Sequence, residues 1–144
     1  MKKLIKIGLI LFGIGLFAAF GTYMYVFHKP HRNIAKEKPA FTMQADQLLT
    51  EFSADEQAGY AKYGNLVVQV TGEVVEINVT EKGASMVYVS PMEGVSCTLD
   101  SATVARYEPE LSNVNVGDEV TLKGQCDGYD FIMGVVLTRC VPVF

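Results

Sequence analysis

Asn65–Val79, NLVVQVTGEVVEINV, is the stretch from which the fold is read. Leu66, Val68, Val70 and Val74 alternate with Gln69, Thr71 and Glu73, the period of two of a half-buried strand. From Val75 onward the apolar set is Val75, Ile77 and Val79, with Glu76 and Asn78 between them, so the inward face has shifted by one residue. Such a slip turns every later side chain to the other face unless the strand bends or bulges, and Gly72 lies close enough to ease that bend. A long strand that changes face midway predicts a small closed barrel in which it serves both sides.

Downstream, Thr80-Glu81-Lys82-Gly83 predicts a hairpin turn, Ala84–Ser90 a second strand, Pro91–Gly94 a turn, and Val95–Leu99 a third strand. Residues 100–114 have no clean period of two and read as a crossing segment with a turn of helix. Gly117-Asp118 leads into a fourth strand over Glu119–Gln125, Asp127-Gly128-Tyr129-Asp130 predicts a turn, and a fifth strand falls within Ile132–Val141. Upstream, Ala45, Leu48, Leu49 and Phe52 form one helical face, and Ser53-Ala-Asp-Glu56 reads as a capping box opening a second helix with Ala58, Ala61 and Tyr60 inward. Three strands in meander order, a crossing segment and a final hairpin give an all-β class, a five-stranded OB-fold barrel preceded by one or two short helices and an N-terminal transmembrane helix.

That last helix is Ile7–Phe27, 21 residues without a charge, long enough at about 1.5 Å per residue to span a hydrocarbon core. Residues 1–6 form a basic tail, 7–27 the anchor, 28–41 a basic tether and 42–144 the OB-fold domain with its helices. Ala19-Phe20-Gly21 offers a cleavage point, but the apolar run continues past it, which favours an uncleaved signal anchor. Lys2, Lys3 and Lys6 nearly balance Lys29, Arg32, Lys36 and Lys38 across the span, so the signal-like start decides the orientation. This places a single-pass protein in a membrane with its C-terminal domain extracytoplasmic. His28 and His31 flank Pro30, with no carboxylate or thiol within four residues, and read as an interfacial flank rather than metal ligands.

The residues also carry a resemblance. Ala45-x-x-Leu48, Glu56, Ala58, Lys62-Tyr63, Val70-Thr-Gly72, Cys97, Gly117-Asp118-x-Val120, Gly124-x-Cys126-x-Gly128-Tyr129 and Val136-Leu137-x-x-Cys140, with Tyr25–Arg32 at the end of the anchor, resemble the tRNA-anticodon-binding-like OB-fold family of bacterial proteins. The resemblance implies a fold, a topology and a bacterial source, which makes the bilayer the bacterial inner membrane, and no established activity.

Charge narrows the function. After Lys38 the chain carries five basic against fifteen acidic side chains, a net charge of −10 that the overall −4 conceals. Such a surface repels phosphate backbones, so the envelope-side reading is a binding module for a protein, peptide or glycan, with single-stranded nucleic acid as the alternative. OB barrels place ligands on the second and third strands and nearby loops, which nominates Tyr88, Ser90, Met92 and Tyr129. The stretch after the tether contains no histidine, so a Ser or Cys nucleophile lacks the usual base, and the acids at 118–119 and 127–130 sit where turns use them. No catalytic residue, metal or cofactor is expected. For Cys97, Cys126 and Cys140, a disulfide involving Cys140 and three buried thiols both stay open. A hairpin centred near Asp130 would separate Cys126 from Cys140 by about 20 Å.

Overall fold

The structure, a computed structural model, describes residues 1–27 and 32–144, so the pair His28 and His31 lies outside the described residues. The chain forms two units, residues 1–32 and 33–144. The described part of the first holds one helix, α1 (Lys2–Phe27), long and apolar enough to cross a membrane and with no buried residue. It takes in the basic tail as well, since Lys is a good helix former.

The second unit contains β1 (Phe41–Gln44), α2 (Ala45–Ala54), α3 (Glu56–Tyr63), β2 (Val67–Thr80), β3 (Gly83–Tyr88), β4 (Gly94–Asp100), α4 (Ser101–Arg106), α5 (Glu108–Leu111), β5 (Glu119–Asp130) and β6 (Gly134–Pro142). Strands β2 to β6 close into a five-stranded barrel: β2 pairs with β3, β3 with β4, β4 with β6, β6 with β5, and β5 returns to β2. This is the OB fold, and the long strand serves both sides as expected. Its first half, Val67–Glu73, pairs with β5, and its second half, Val74–Thr80, pairs with β3.

The phase slip is a bulge. Val74 pairs with Tyr88 and Glu76 with Val87, leaving Val75 as the extra residue. Gly72 serves a different purpose from the one expected. A Cβ there would stand 3.0 Å from the Ala45 Cβ and 3.3 Å from Tyr88 Cδ1, so glycine admits the start of α2 and the Tyr88 ring rather than easing the bend.

Residues 33–41, read from composition as a tether, lie in the compact unit. Ile34 is buried against Val67 and Val141, Lys123 Nζ donates to the carbonyls of Ala35 and Glu37 at 3.1 and 2.9 Å, and Phe41 opens a sixth strand. That strand, β1, runs parallel to Val68–Thr71. Four residues are too few to show a period, which is why it reads as part of the neighbouring helix.

Helix α2 buries Ala45, Leu48 and Phe52 and packs against β2, β4 and β6, strands from across the barrel, so it covers one end. Helix α3 differs from expectation. Asp55 rather than Ser53 caps it, accepting from the Ala58 N–H at 3.0 Å, and its inner residues are Gly59 and Tyr63 while Ala58, Ala61 and Tyr60 face outward. Tyr63 is drawn inward because its hydroxyl donates to Glu51 Oε2 at 2.6 Å. Lys62 pairs with the same oxygen at 2.9 Å, and the two hold the Glu51 carboxyl below its ordinary range. Helices α4 and α5 fill the crossing segment, α4 capped by Asp100, whose side chain accepts from Thr103 N at 2.7 Å.

Strand β5 runs five residues past its expected end. Gly128, at φ +121°, lets the strand bulge between Cys126 and Gly128 instead of turning. The turn falls at Phe131–Met133, with the Asp130 carboxylate accepting from the N–H groups of Ile132 and Met133 at 2.8 and 3.1 Å.

Candidate functional site

The four nominated residues separate. Tyr88 is not on the surface: it is 0% exposed inside the barrel, because its pairing with Val74 just before the bulge aims it inward. Among the described residues its hydroxyl has no hydrogen-bond partner, and burial pushes its pKa up. Leaving a buried hydroxyl unsatisfied costs about 1–3 kcal/mol, so Tyr88→Phe is expected to raise the unfolding free energy by about 1 kcal/mol or more. Denaturant titration of the full chain in detergent checks this, and a lower midpoint would show that the hydroxyl is satisfied.

Ser90 is half-buried, its N–H donating to the Tyr88 carbonyl at 2.9 Å, and Met92 is 77% exposed at the tip of the β3–β4 turn. Tyr129 is half-buried. Its ring stacks on Phe52 with centroids 6.5 Å apart, and Phe131 meets it edge-on at 6.2 Å.

Cys97, Cys126 and Cys140 are free buried thiols. Cys126 pairs with Leu137, so Cys140 lies three residues further along the strand. Cys140 points inward because Arg139, at φ +51°, occupies an irregularity in the β5–β6 ladder and restores the inward phase after Leu137. Burial, and after it the neighbouring Cys140 thiol, push Cys97 well up. Burial likewise pushes Cys126 up to about 11. Protonated, enclosed thiols are poor nucleophiles.

On the outside of the barrel, β3 presents Ser85 and Val87, β4 presents Ser96 and Thr98, and β6 continues with Val136, Thr138 and, past the irregularity, Arg139. These side chains are small, with one cation and no aromatic ring. Ser96, at the centre, is 2% exposed.

Two further features lie at the end where β3 passes into β4. A groove of about 460 Å³ is lined by Gln44, Ala45, Asp46, Thr71, Gly72, Glu73, Val75 and Val89. It follows the break in the sheet edge where β1 stops at Thr71 and β3 begins at Val74. Beside it, the pairing of Gly94 with Gly134 sets the β3–β4 turn against the β5–β6 turn. Met92, Phe131, Ile132 and Met133 stand exposed there. Sequence reasoning missed this cluster because Ile132 and Met133 read as the start of the last strand. Asp130 followed four residues later by Gly134 was the available turn signal.

Strand order and closure define an OB-fold domain in a chain that also carries an apolar helix long enough to span a membrane. The chain belongs to the tRNA_anti-like family, whose sequence model matches residues 1–141 and so takes in the apolar helix as well as the barrel. No curated protein matches the chain. Among solved structures it is similar to a candidate nucleic acid-binding lipoprotein from Klebsiella pneumoniae at 16% identity and a TM-score of 0.54, covering 71% of this chain and 91% of that one. It is also similar to a candidate aspartyl-tRNA synthetase from Leishmania major at 11% identity and a TM-score of 0.46, covering 79% of this chain and 23% of that one.

Proposed function

We propose that this protein is a membrane-anchored, non-enzymatic binding module. Its barrel stands on the outer side of the bacterial inner membrane and engages an envelope protein, peptide or glycan, a polypeptide being favoured. The observation that carries this is the composition of the barrel's outward face. Ser85, Val87, Ser96, Thr98, Val136 and Thr138 offer neither the stacking rings nor the line of cations that single strands require, on a domain of net charge −10. A second reading, single-stranded nucleic acid, is favoured by the name of the Klebsiella lipoprotein.

Fluorescence anisotropy with labelled single-stranded DNA and RNA, titrated with the full chain in detergent, separates the two. No binding is expected even at low ionic strength. Binding that weakens steeply with added salt would replace the proposal by the second reading. For sidedness, an engineered thiol at Asn33 reports alone because the three native thiols are buried. It is expected to react with a membrane-impermeant maleimide in intact spheroplasts, and reaction only after lysis would put the barrel in the cytoplasm.

A further inference from the structure

We propose that the paired tips of the β3–β4 and β5–β6 turns, with the adjoining groove, are the docking surface, and that its occupant is an apolar polypeptide segment flanked by Lys or Arg. The proposal rests on the polypeptide reading above.

The tips are apolar and exposed: Met92 at 77%, Phe131 at 83% and Ile132 at 79%, with Met133 and Val89 about half exposed. Single exposed apolar residues are ordinary, but a contiguous group rimmed by polar side chains marks an interaction surface. This group is built rather than loose. The Asp130 carboxylate pins the N–H groups of Ile132 and Met133. The Phe131 ring rests edge-on against Tyr129, which is stacked on buried Phe52. A surface held in this way loses little conformational freedom on binding. Two methionines add side chains that adapt to a partner's shape.

Val89 joins the tips to the groove, being at once the first residue of the β3–β4 turn and part of the groove wall. It holds φ +73°, a conformation costly for a β-branched residue and typical of backbones constrained at binding sites.

Charge selects the occupant. Glu93 and Asp130 sit in the tips and Asp46 and Glu73 in the groove wall, while among the described residues no Lys or Arg forms the tips or lines the groove. A bilayer surface carries anionic headgroups and is bound by polybasic patches, the opposite of this one. A second copy would set the same carboxylates against each other. An apolar segment with flanking cations satisfies both the apolar tips and the acidic rim.

The test uses the full chain in neutral detergent and a fluorescent amphipathic peptide of Leu and Lys, beside its counterpart with Glu in place of Lys. The wild type is expected to bind the Lys peptide and to bind the Glu peptide at least about tenfold more weakly. The doubly substituted F131S/I132S is expected to lose affinity for the Lys peptide about tenfold or more. Val79→Ser, a substitution of a 70% exposed residue at the far end of β2, is expected to bind as wild type. Folding of each variant is checked by circular dichroism. Equal binding by F131S/I132S and wild type would overturn the location while leaving the polypeptide reading intact. So would a change confined to partition into anionic vesicles or to self-association in sedimentation. Absence of Lys-peptide binding together with oligonucleotide binding would overturn both.

Discussion

Phe52→Ala is expected to lower the unfolding free energy of the barrel unit by about 3–5 kcal/mol. The ring is 1% exposed and sits between the Tyr63 ring, at a centroid distance of 6.0 Å, and that of Tyr129 at 6.5 Å. Gly59 of α3 approaches so closely that a Cβ there would stand 2.9 Å from Phe52 Cδ1. One side chain therefore joins α2, α3 and β5, and its loss opens a cavity walled by the Tyr63 and Tyr129 rings and by Gly59. A domain of this size has about 5–15 kcal/mol in all, so the loss consumes a large share. Denaturant unfolding of the full chain in detergent, followed by tyrosine fluorescence, measures it. Phe131→Ala is the matched comparison. The same atoms are removed from a ring that is 83% exposed, and a change within about 0.5 kcal/mol is expected. Similar losses for the two would show that Phe52 does not bear on the core.

Gly134→Ala is expected to cost about 2–5 kcal/mol, from two sources that act together. At φ +77° an L side chain is strained by roughly 1–2 kcal/mol. The added Cβ would also run into the Gly94 carbonyl oxygen and lie 2.8 Å from Gly94 N and 3.0 Å from its carbonyl carbon. Those atoms are backbone in the parallel pairing of β4 with β6, so relief requires the strands to part, and the overpacking adds about 1–3 kcal/mol. Gly117→Ala isolates the first source. Gly117 also has positive φ, at +98°, but nothing lies within 4 Å of its Cβ position, and only the conformational cost is expected there. Thermal unfolding of both variants decides. If Gly134→Ala is no worse than Gly117→Ala, the close approach of the two turns is looser than described.

Several elements were legible in the chain because their causes are local. The alternation from Val68 to Val74 and its reversal at Val75 gave β2 and its bulge, although Leu66 and Val79, expected inward, are exposed. The i, i+3, i+7 set Ala45, Leu48 and Phe52 gave α2, and Thr80–Gly83 gave the first hairpin. The strand order that follows from these pieces is enough for the OB fold. Less of the candidate site was legible. Tyr88 looked like a surface aromatic because aromatic residues suit either face of a strand. Only the bulge, by setting its phase against Val74, sends it into the core.

What the sequence by itself determined was the apolar span, the acidic character of everything after Lys38, and the barrel, each a property of composition or short-range period. What only the tertiary structure decided depends on backbone at long range. β1 exists because Val68–Thr71 present an edge for Phe41–Gln44 to pair with. Cys140 turns inward because Arg139 takes a left-handed conformation within the β5–β6 ladder. The exposed tips are a surface because Gly94 and Gly134, forty residues apart in the chain, let two backbones meet. A residue's own side chain sets its period and charge, but the direction it faces after a bulge is set by the partner strand's register.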